Sequence, residues 1–441
     1  MSQTVNKSYH SVSLPATEVS TLKELERLLQ EVGALDVGEV IPLVSQDMLA
    51  VDERGMGFSA ESQTVTALSV RYCGLTMLPE SLGWLTNLQR LDVTGNQLST
   101  LPTSFANLMR LIKFAGDDNQ LMELPAGLER LTQLEEIHLD RNRLTTLPES
   151  LSQLARLTTL SVYGNALTAL PESLSQLSGL KAISIGHNRL SELPESFWQL
   201  TSLEVLNIAE NSLLGLSEHI GGLSNLHMLD TGHNQLCTLP EALGRLSNLT
   251  FFLYLSDNQL SELSESLFEQ MHHLRYLNVT DNQLTTLPET IGNLANLKEL
   301  RAYNNQLTTL PASIGHLTHL AELHLMNNAL TTLPEALGNL SSLKELHLST
   351  NRLSSLPESL GNLTCLTRLD LRNNRLLTLP TSLSGLQSLT HLDLRANRLV
   401  ALPPAIADLP YLEKLDLRWN KLASYPEWLH QLEQRGCVVL R

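Results

Sequence analysis

From residue 64 onward the chain restates one arrangement of apolar and polar positions. Around Leu323 it reads Leu-His-Leu-Met-Asn-Asn-Ala-Leu-Thr-Thr-Leu, followed by Pro334 and a Leu-Gly-x-Leu-x-x-Leu segment that leads into the next copy. Side chains of a strand switch face at every residue, so Leu323 and Leu325 point inward while His324 and Met326 point out. One copy cannot bury its own leucines, and copies must therefore stack. Counted from the asparagine position the series runs Cys73, Asn96, Asn119, Asn142 and so on to Asn420, which makes sixteen copies. Every interval is 23 residues except the two that end at Asn258 and Asn282, which are 24.

Each asparagine follows the strand, where the chain turns inward and buries backbone groups. Its amide both donates and accepts, so stacked copies predict an asparagine ladder. Cys73 is a small buried substitute at an end that has one neighbour. Proline follows the closing leucine in all but two copies, which carry Ser217 and Ser264 instead. Proline fixes one backbone angle and ends the strand-like turn, leaving an irregular or short-helical convex side. The two serines, the two longer copies, Thr231 at a strand-leucine position and the unusual Thr250-Phe-Phe-Leu-Tyr-Leu255 make the stretch from Asn211 to Asn282 the expected least regular part.

Residues 1 to about 16 lack periodicity and are expected to be unstructured. A helix is predicted next, opened by a Thr21/Glu24 capping box, with Leu22, Leu25, Leu28, Leu29 and Val32 on one face and Gly33 as its stop. Residues 34–63 read as irregular, with one short strand around Val40 to Val44. Residues 1–63 together read as an N-terminal cap over the open edge of the first repeat, in preference to a separate functional domain, and 64–441 as one solenoid. At the other end, Glu427 to Leu432 is expected to form the last convex turn with Trp428 and Leu429 inward, and Cys437 to Arg441 a final strand.

Composition adds to this picture. Hydrophobic residues make up 42% and aromatics only 4%, which suits a core of stacked leucines. The net charge of −16, from 46 acidic and 30 basic side chains, argues against nucleic acid or an anionic membrane as partner. No signal-like apolar run stands at the start, and the four cysteines are scattered, so a cytoplasmic, reducing setting is expected.

The phrase from Leu356 to Leu376, Leu-Pro-Glu-Ser-Leu-Gly-Asn-Leu-Thr-Cys-Leu-Thr-Arg-Leu-Asp-Leu-Arg-Asn-Asn-Arg-Leu, resembles the 23-residue class of intracellular leucine-rich repeat proteins. That class includes bacterial cytosolic and secreted-effector repeat proteins, Ras-associated scaffold proteins of animals and their plant counterparts. The resemblance covers residues 64–441. It implies an α/β leucine-rich repeat solenoid, curved, with a parallel sheet on the concave side. It also implies a non-catalytic, monomeric protein-binding scaffold without cofactor, whose partner is a protein such as a small GTPase or a host signalling protein. Two other readings stand beside it: a substrate-recruiting bacterial effector related to repeat-containing ubiquitin ligases, delivered into a host cell, and a structural protein that self-associates.

Candidate binding residues come from the outward strand positions. Tyr254, Tyr276, Arg301, Tyr303, His324, Met326 and His347, with Phe252, gather scarce aromatics and other effective anchors on one face. Towards the C-terminus a column of Asp370, Asp393 and Asp416 adjoins one of Arg372, Arg395 and Arg418, and Arg368, Arg375, Arg398, Lys414, Trp419 and Lys421 make this end locally basic. Such pairs either stabilise the sheet by a few tenths of a kcal/mol each or engage a charged partner. His324 and His347 should be neighbours with Glu322 and Glu345 alongside, a set that could hold zinc, but a solvated face is the preferred reading and no metal site is assigned. No nucleophile faces an Asp and His pair, and no phosphate-binding glycine loop is present.

Overall fold

The computed structural model describes residues 6–9, 12–45 and 55–441. The chain divides into two compact units, Met1–Ser212 and Leu213–Arg441.

In the first unit, Asn6–Tyr9 and Val12–Pro15 pair as an antiparallel hairpin, where the sequence predicts no structure. The helix Ala16–Glu31 follows with Pro15 as its N-cap, so it starts well before Thr21. The expected capping box is therefore wrong: Thr21 is fully buried within the helix, and its hydroxyl donates to the Ser81 carbonyl of the first repeat at 2.9 Å. Glu24 accepts instead from the Ser81 hydroxyl. Leu22, Leu25 and Leu29 form the buried stripe as expected, but Leu28 is half-buried, and Val32 lies past the helix end and is exposed. Glu18, also buried, accepts from the Val65 backbone at 2.8 Å and ties the helix to the first repeat strand. Burial pushes its carboxyl up to about 7, against the opposing pull of that hydrogen bond.

Instead of a strand around Val40 to Val44, only a single bridge, Leu43 to Phe58, forms among the described residues there. Met56–Glu61 is the real strand of this region and pairs antiparallel with Thr64–Val70. Alternation does not mark it, because Gly57, Phe58 and Ser59 are buried in succession and so on both faces. From Thr64–Val70 the three-residue strands of successive copies pair in parallel and in register up to Val205–Asn207.

The second unit repeats this plan from Met228–Asp230 to Lys414–Asp416. A closing strand, Val438–Leu440, pairs with Lys414–Asp416 as expected, but one residue out of the 23-residue spacing: Val439 lies beside Leu415, and Val438 is exposed. The segment before it is an α-helix, Trp428–Gln434, with Leu429 and Leu432 buried, whereas Trp428 is only half-buried. Inward leucines such as Leu300, Leu323, Leu346 and Leu369 lie on one another from copy to copy with essentially no solvent contact.

The asparagine ladder is present. Asn305 donates through Nδ2 to the carbonyls of Val279, Ala302 and Tyr303, while its Oδ1 accepts from the Leu284 backbone at 3.0 Å. One amide thus satisfies groups of two consecutive copies. Cys73 makes only a weak thiol bond to the Arg71 carbonyl.

Within Leu213–Arg441 the strands of this stretch keep their register, contrary to expectation, but the turn Glu265–Phe268 has four residues where Glu241–Arg245 and Glu289–Asn293 have five. Ser217 and Ser264 adopt the same extended backbone as the prolines they replace, and each hydroxyl accepts from the backbone N–H two residues on. They therefore cap the short helices Glu218–Gly222 and Glu265–Phe268. The extra residue of the first long copy is taken up ahead of the strand, where Thr250 and Phe251 both donate to the His227 carbonyl. Phe251 is left exposed, and Phe252–Tyr254 stays in register with Met228–Asp230.

On the side opposite the sheet a short 3-10 turn follows the proline, or the serine in its place, in the copies before the last, which forms the helix Trp428–Gln434. The recurring glycine of Leu-Gly-x-Leu has a steric cause: a Cβ at Gly338 would lie 2.3 Å from the Ser359 carbonyl of the next copy. The glutamate after proline bridges copies. Glu289 accepts from the backbone N–H groups of Ala312 and Ser313, and Glu80 does the same for Thr103 and Ser104. These hydrogen bonds hold both carboxyls below the usual value.

Candidate functional site

Register places the outward residues of the second unit in columns. The first runs Phe252, Tyr276, Glu299, Glu322, Glu345, Arg368, His391, Lys414; the second runs Tyr254, Asn278, Arg301, His324, His347, Asp370, Asp393, Asp416. Tyr303, Met326 and Arg372 lie two residues beyond the second column, in line with Arg395 and Arg418. The face is therefore sorted along the unit into an aromatic part, a histidine and glutamate part, and an arginine and aspartate part.

At the aromatic part Phe252, Tyr254 and Tyr276 form one cluster, with ring centroids 4.7 Å and 5.0 Å apart in turn. Phe252, whose direction the extra residue made ambiguous in the sequence, belongs to it. The Arg301 guanidinium lies 5.6 Å from the Tyr276 ring centre and is held by Glu299. Burial raises the Tyr276 hydroxyl, which stays protonated at neutral pH as a hydrogen-bonding tip on an apolar ring.

In the middle, His324 and His347 stack face to face with centroids 4.8 Å apart. Each Nε2 meets the carboxylate of its own strand: His324 meets Glu322 at 3.1 Å and His347 meets Glu345 at 2.9 Å. Burial lowers the basicity of His324, and the Glu322 hydrogen bond only partly opposes it, so the imidazole tends to neutral. Glu299, Glu322 and His324 bring three ligand atoms within 4.8 Å of one another, a set able to take a metal ion by chemistry. Arg301 competes for Glu299 there and places a fixed positive charge beside the same atoms.

Further along, the arginines and aspartates satisfy each other. Arg372 reaches Asp370 at 3.3 Å, Arg395 bridges Asp393 at 2.6 Å and Asp416 at 3.2 Å, and Arg418 reaches Asp416 at 2.7 Å. Burial alone would raise the Asp416 carboxyl, but the Arg418 hydrogen bonds and the Arg395 charge outweigh it and hold it below the usual value. Trp419 stands apart from the columns at the left-handed position after its strand, φ +60°, exposed and under the Arg418 guanidinium.

The column position just before the inward leucine carries charges that the sequence reading treated only as general basicity or passed over: Glu299, Arg368, His391 and Lys414. The alternation that turns the residue between the two leucines outward turns this one outward as well. Two cysteines, Cys73 and Cys437, are buried, which pushes the Cys73 thiol up to about 11 and also raises that of Cys437, the opposite of a thiol prepared for attack. Among the described residues no helix is long and apolar enough to cross a membrane.

The chain matches a model of the leucine-rich repeat region over residues 253–352 and leucine-rich repeat models over 155–213, 364–422 and the shorter stretches 87–108, 133–154 and 342–363. It is similar to the structure of a leucine-rich repeat protein of Leptospira interrogans, at 31% identity and a TM-score of 0.71, covering 84% of this chain and 94% of that one. A plant peptide hormone receptor, RGFR1, solved in complex with RGF2, is 26% identical with a TM-score of 0.59, over 85% of this chain and 78% of the receptor. An internalin of Listeria monocytogenes, at 21% identity and a TM-score of 0.56 over 93% and 99% of the two chains, shares the fold. No curated protein matches the chain. Its periodic leucines, asparagine ladder, matched repeats and likeness to the Leptospira protein are those of one family, and the chain belongs to the leucine-rich repeat proteins.

Proposed function

We propose that this protein is a non-catalytic scaffold that binds a protein partner on the outward, concave face of the sheet in Leu213–Arg441. Proteins built on this repeat are in general binding scaffolds, and one structural neighbour is a receptor in complex with RGF2. The observation that carries the reading is the aromatic cluster of Phe252, Tyr254 and Tyr276 with Arg301 over its edge, in a chain where aromatics are only 4% of residues. Tyrosine and arginine anchors supply most of the binding energy at protein interfaces, because they bury large area with few rotatable bonds and keep a polar tip. Tyr303 and Met326 extend the same surface, and His324, His347 and the arginine-aspartate pairs continue it towards Asp416 and Trp419.

Proximity labelling in the native cell tests the proposal. The intact protein should label a partner that the variant with Tyr254, Arg301 and Tyr303 changed to alanine fails to label, while the variant keeps its melting temperature. Identical labelling by both would remove this face from the function.

A further inference from the structure

The charges of the first column divide into two groups that differ in whether the protein itself satisfies them. Glu299, Glu322 and Glu345 each meet a side chain of the second column, namely Arg301, His324 and His347. Arg368 and Lys414, by contrast, make no ion pair or side-chain hydrogen bond among the described residues. His391 bonds through Nδ1 to the Thr390 hydroxyl alone. The three stand on consecutive strands in register, with His391 between the two fixed cations Arg368 and Lys414. The aspartates beside them, Asp370, Asp393 and Asp416, are engaged by Arg372, Arg395 and Arg418. A cleft of about 280 Å³ opens here, lined by Arg368, Arg372 and Lys414, by Asp370, Asp393 and Asp416, and by His347 and His391, so any excess of positive charge comes from Arg395 and Arg418, which pair with these aspartates from beyond the lining.

We infer that this cleft takes an acidic segment of polypeptide, with carboxylates placed over Arg368 and Lys414. The inference rests on the protein-docking reading above and names the chemistry of the partner at one end of that face. Complementarity of charge gives the sign: a local excess of cations survives inside a chain of net charge −16. Spacing gives the class of ligand. Arg368 and Lys414 lie two strands apart, about 9.6 Å at the usual strand separation, with His391 between them. Carboxylates three residues apart in a polyproline II segment, which turns once every three residues with a rise of about 3.1 Å each, lie on one side about 9.3 Å apart and match that distance. A long nucleic acid would meet the repulsion of the whole molecule, whereas a short acidic segment is governed by the local cations. The sorted face also orients the partner: its acidic segment lies at the Lys414 end, and its apolar anchors at the Phe252 end.

Fluorescence anisotropy of the full chain with a labelled peptide of Glu-Ser-Ser repeats tests the inference, with Gln-Ser-Ser repeats as the uncharged control. The glutamate peptide should bind more tightly than the control, and the Arg368→Gln, Lys414→Gln double variant should weaken it about tenfold or more. A charge-matched double variant in the first unit, Arg90→Gln with Arg110→Gln, should change it less than about twofold, which separates a site from general charge. Equal loss in both double variants, equal binding of the two peptides, or full displacement by equimolar inorganic phosphate or oligothymidylate would overturn the acidic-polypeptide assignment. If the glutamate peptide fails while a partner is still captured through Tyr254, Arg301 and Tyr303, only this inference falls. If that capture fails as well, the docking reading falls with it.

Discussion

The sheets of the two units share an interior and differ in what they show to solvent. In Met1–Ser212 the columns hold Thr159, Ala182 and Val205 beside Ser161, Ser184 and Asn207, small side chains with little to offer a partner. Its earlier copies carry charges that meet each other, such as Lys113 and Glu136 at 2.6 Å. Tyr163 is the large exception, and its hydroxyl is tied to Glu210. In Leu213–Arg441 the same columns hold Phe252, Tyr276 and Glu299 beside Tyr254, Arg301 and His324. The fold dictates the inward leucine and the asparagine and leaves the outward positions free. Where the free positions become large, aromatic and charged, something other than folding accounts for them.

The largest effects should be those common to both units. Asn305→Ala and Asn142→Ala should each cost on the order of 1–3 kcal/mol in chemical denaturation, because buried backbone groups of two copies lose their partner. Cys73→Ala, which removes only a weak thiol bond at the end of the ladder, should cost clearly less. A smaller and one-sided effect is expected on binding. Tyr276→Ala or Arg301→Ala should weaken partner affinity by more than about 1 kcal/mol in calorimetry with little change in melting temperature. Thr159→Ala in the first unit and Glu335→Ala on the convex side should stay within about 0.5 kcal/mol of the parent. If the first-unit change weakens binding as much, the contrast between the faces is not functional.

Two subtler changes probe the turns. The residue before each asparagine is left-handed, and Thr350 occupies this position at φ +56°, where a β-branched side chain is strained. Neighbouring copies use Asn304, Asn327 and Asn373 there. Thr350→Asn should therefore raise stability by about 0.5–1 kcal/mol, measured as an increase in melting temperature. The smallest effect belongs to the glutamate that bridges copies. Glu289 is solvent-exposed, so Glu289→Gln should cost no more than about 0.5 kcal/mol at neutral pH. Its folded carboxyl lies below the usual value, so its contribution is present above the unfolded pKa and lost as pH falls through the folded one. Parent and variant should thus converge in melting temperature as the pH is lowered below about 4.

Periodicity was enough to place every repeat strand, the ladder and the outward columns, because each follows from a leucine spacing that admits one stacking. It was not enough for the segment ahead of the first repeat. Thr21 and Glu24 match a capping box by type, yet tertiary contact with Ser81 decides their roles, and the hairpin at Asn6–Tyr9 depends on partners distant in the chain. Prolines replaced at 217 and 264 suggest a less regular stretch by residue type alone, whereas each serine takes the extended backbone of proline and caps the turn with its hydroxyl. At the site, residue types identified the aromatic and charged columns. Which charges neutralise one another could not be read, since the pairing of Arg395 with both Asp393 and Asp416 is a matter of side-chain reach. That pairing is what leaves Arg368 and Lys414 as the cations available to a ligand.

Site-specific photo-crosslinking tests the central claim most directly. A photoreactive phenylalanine analogue placed singly at positions 276, 303 and 347 of the second unit, at 159 and 184 of the first, and at 335 on the convex side would report contact from each surface in the living cell. The same partner should be trapped from 276, 303 and 347 and not from 159, 184 or 335. Trapping from 159, 184 or 335 with silence at the other three would contradict the assignment of the binding face.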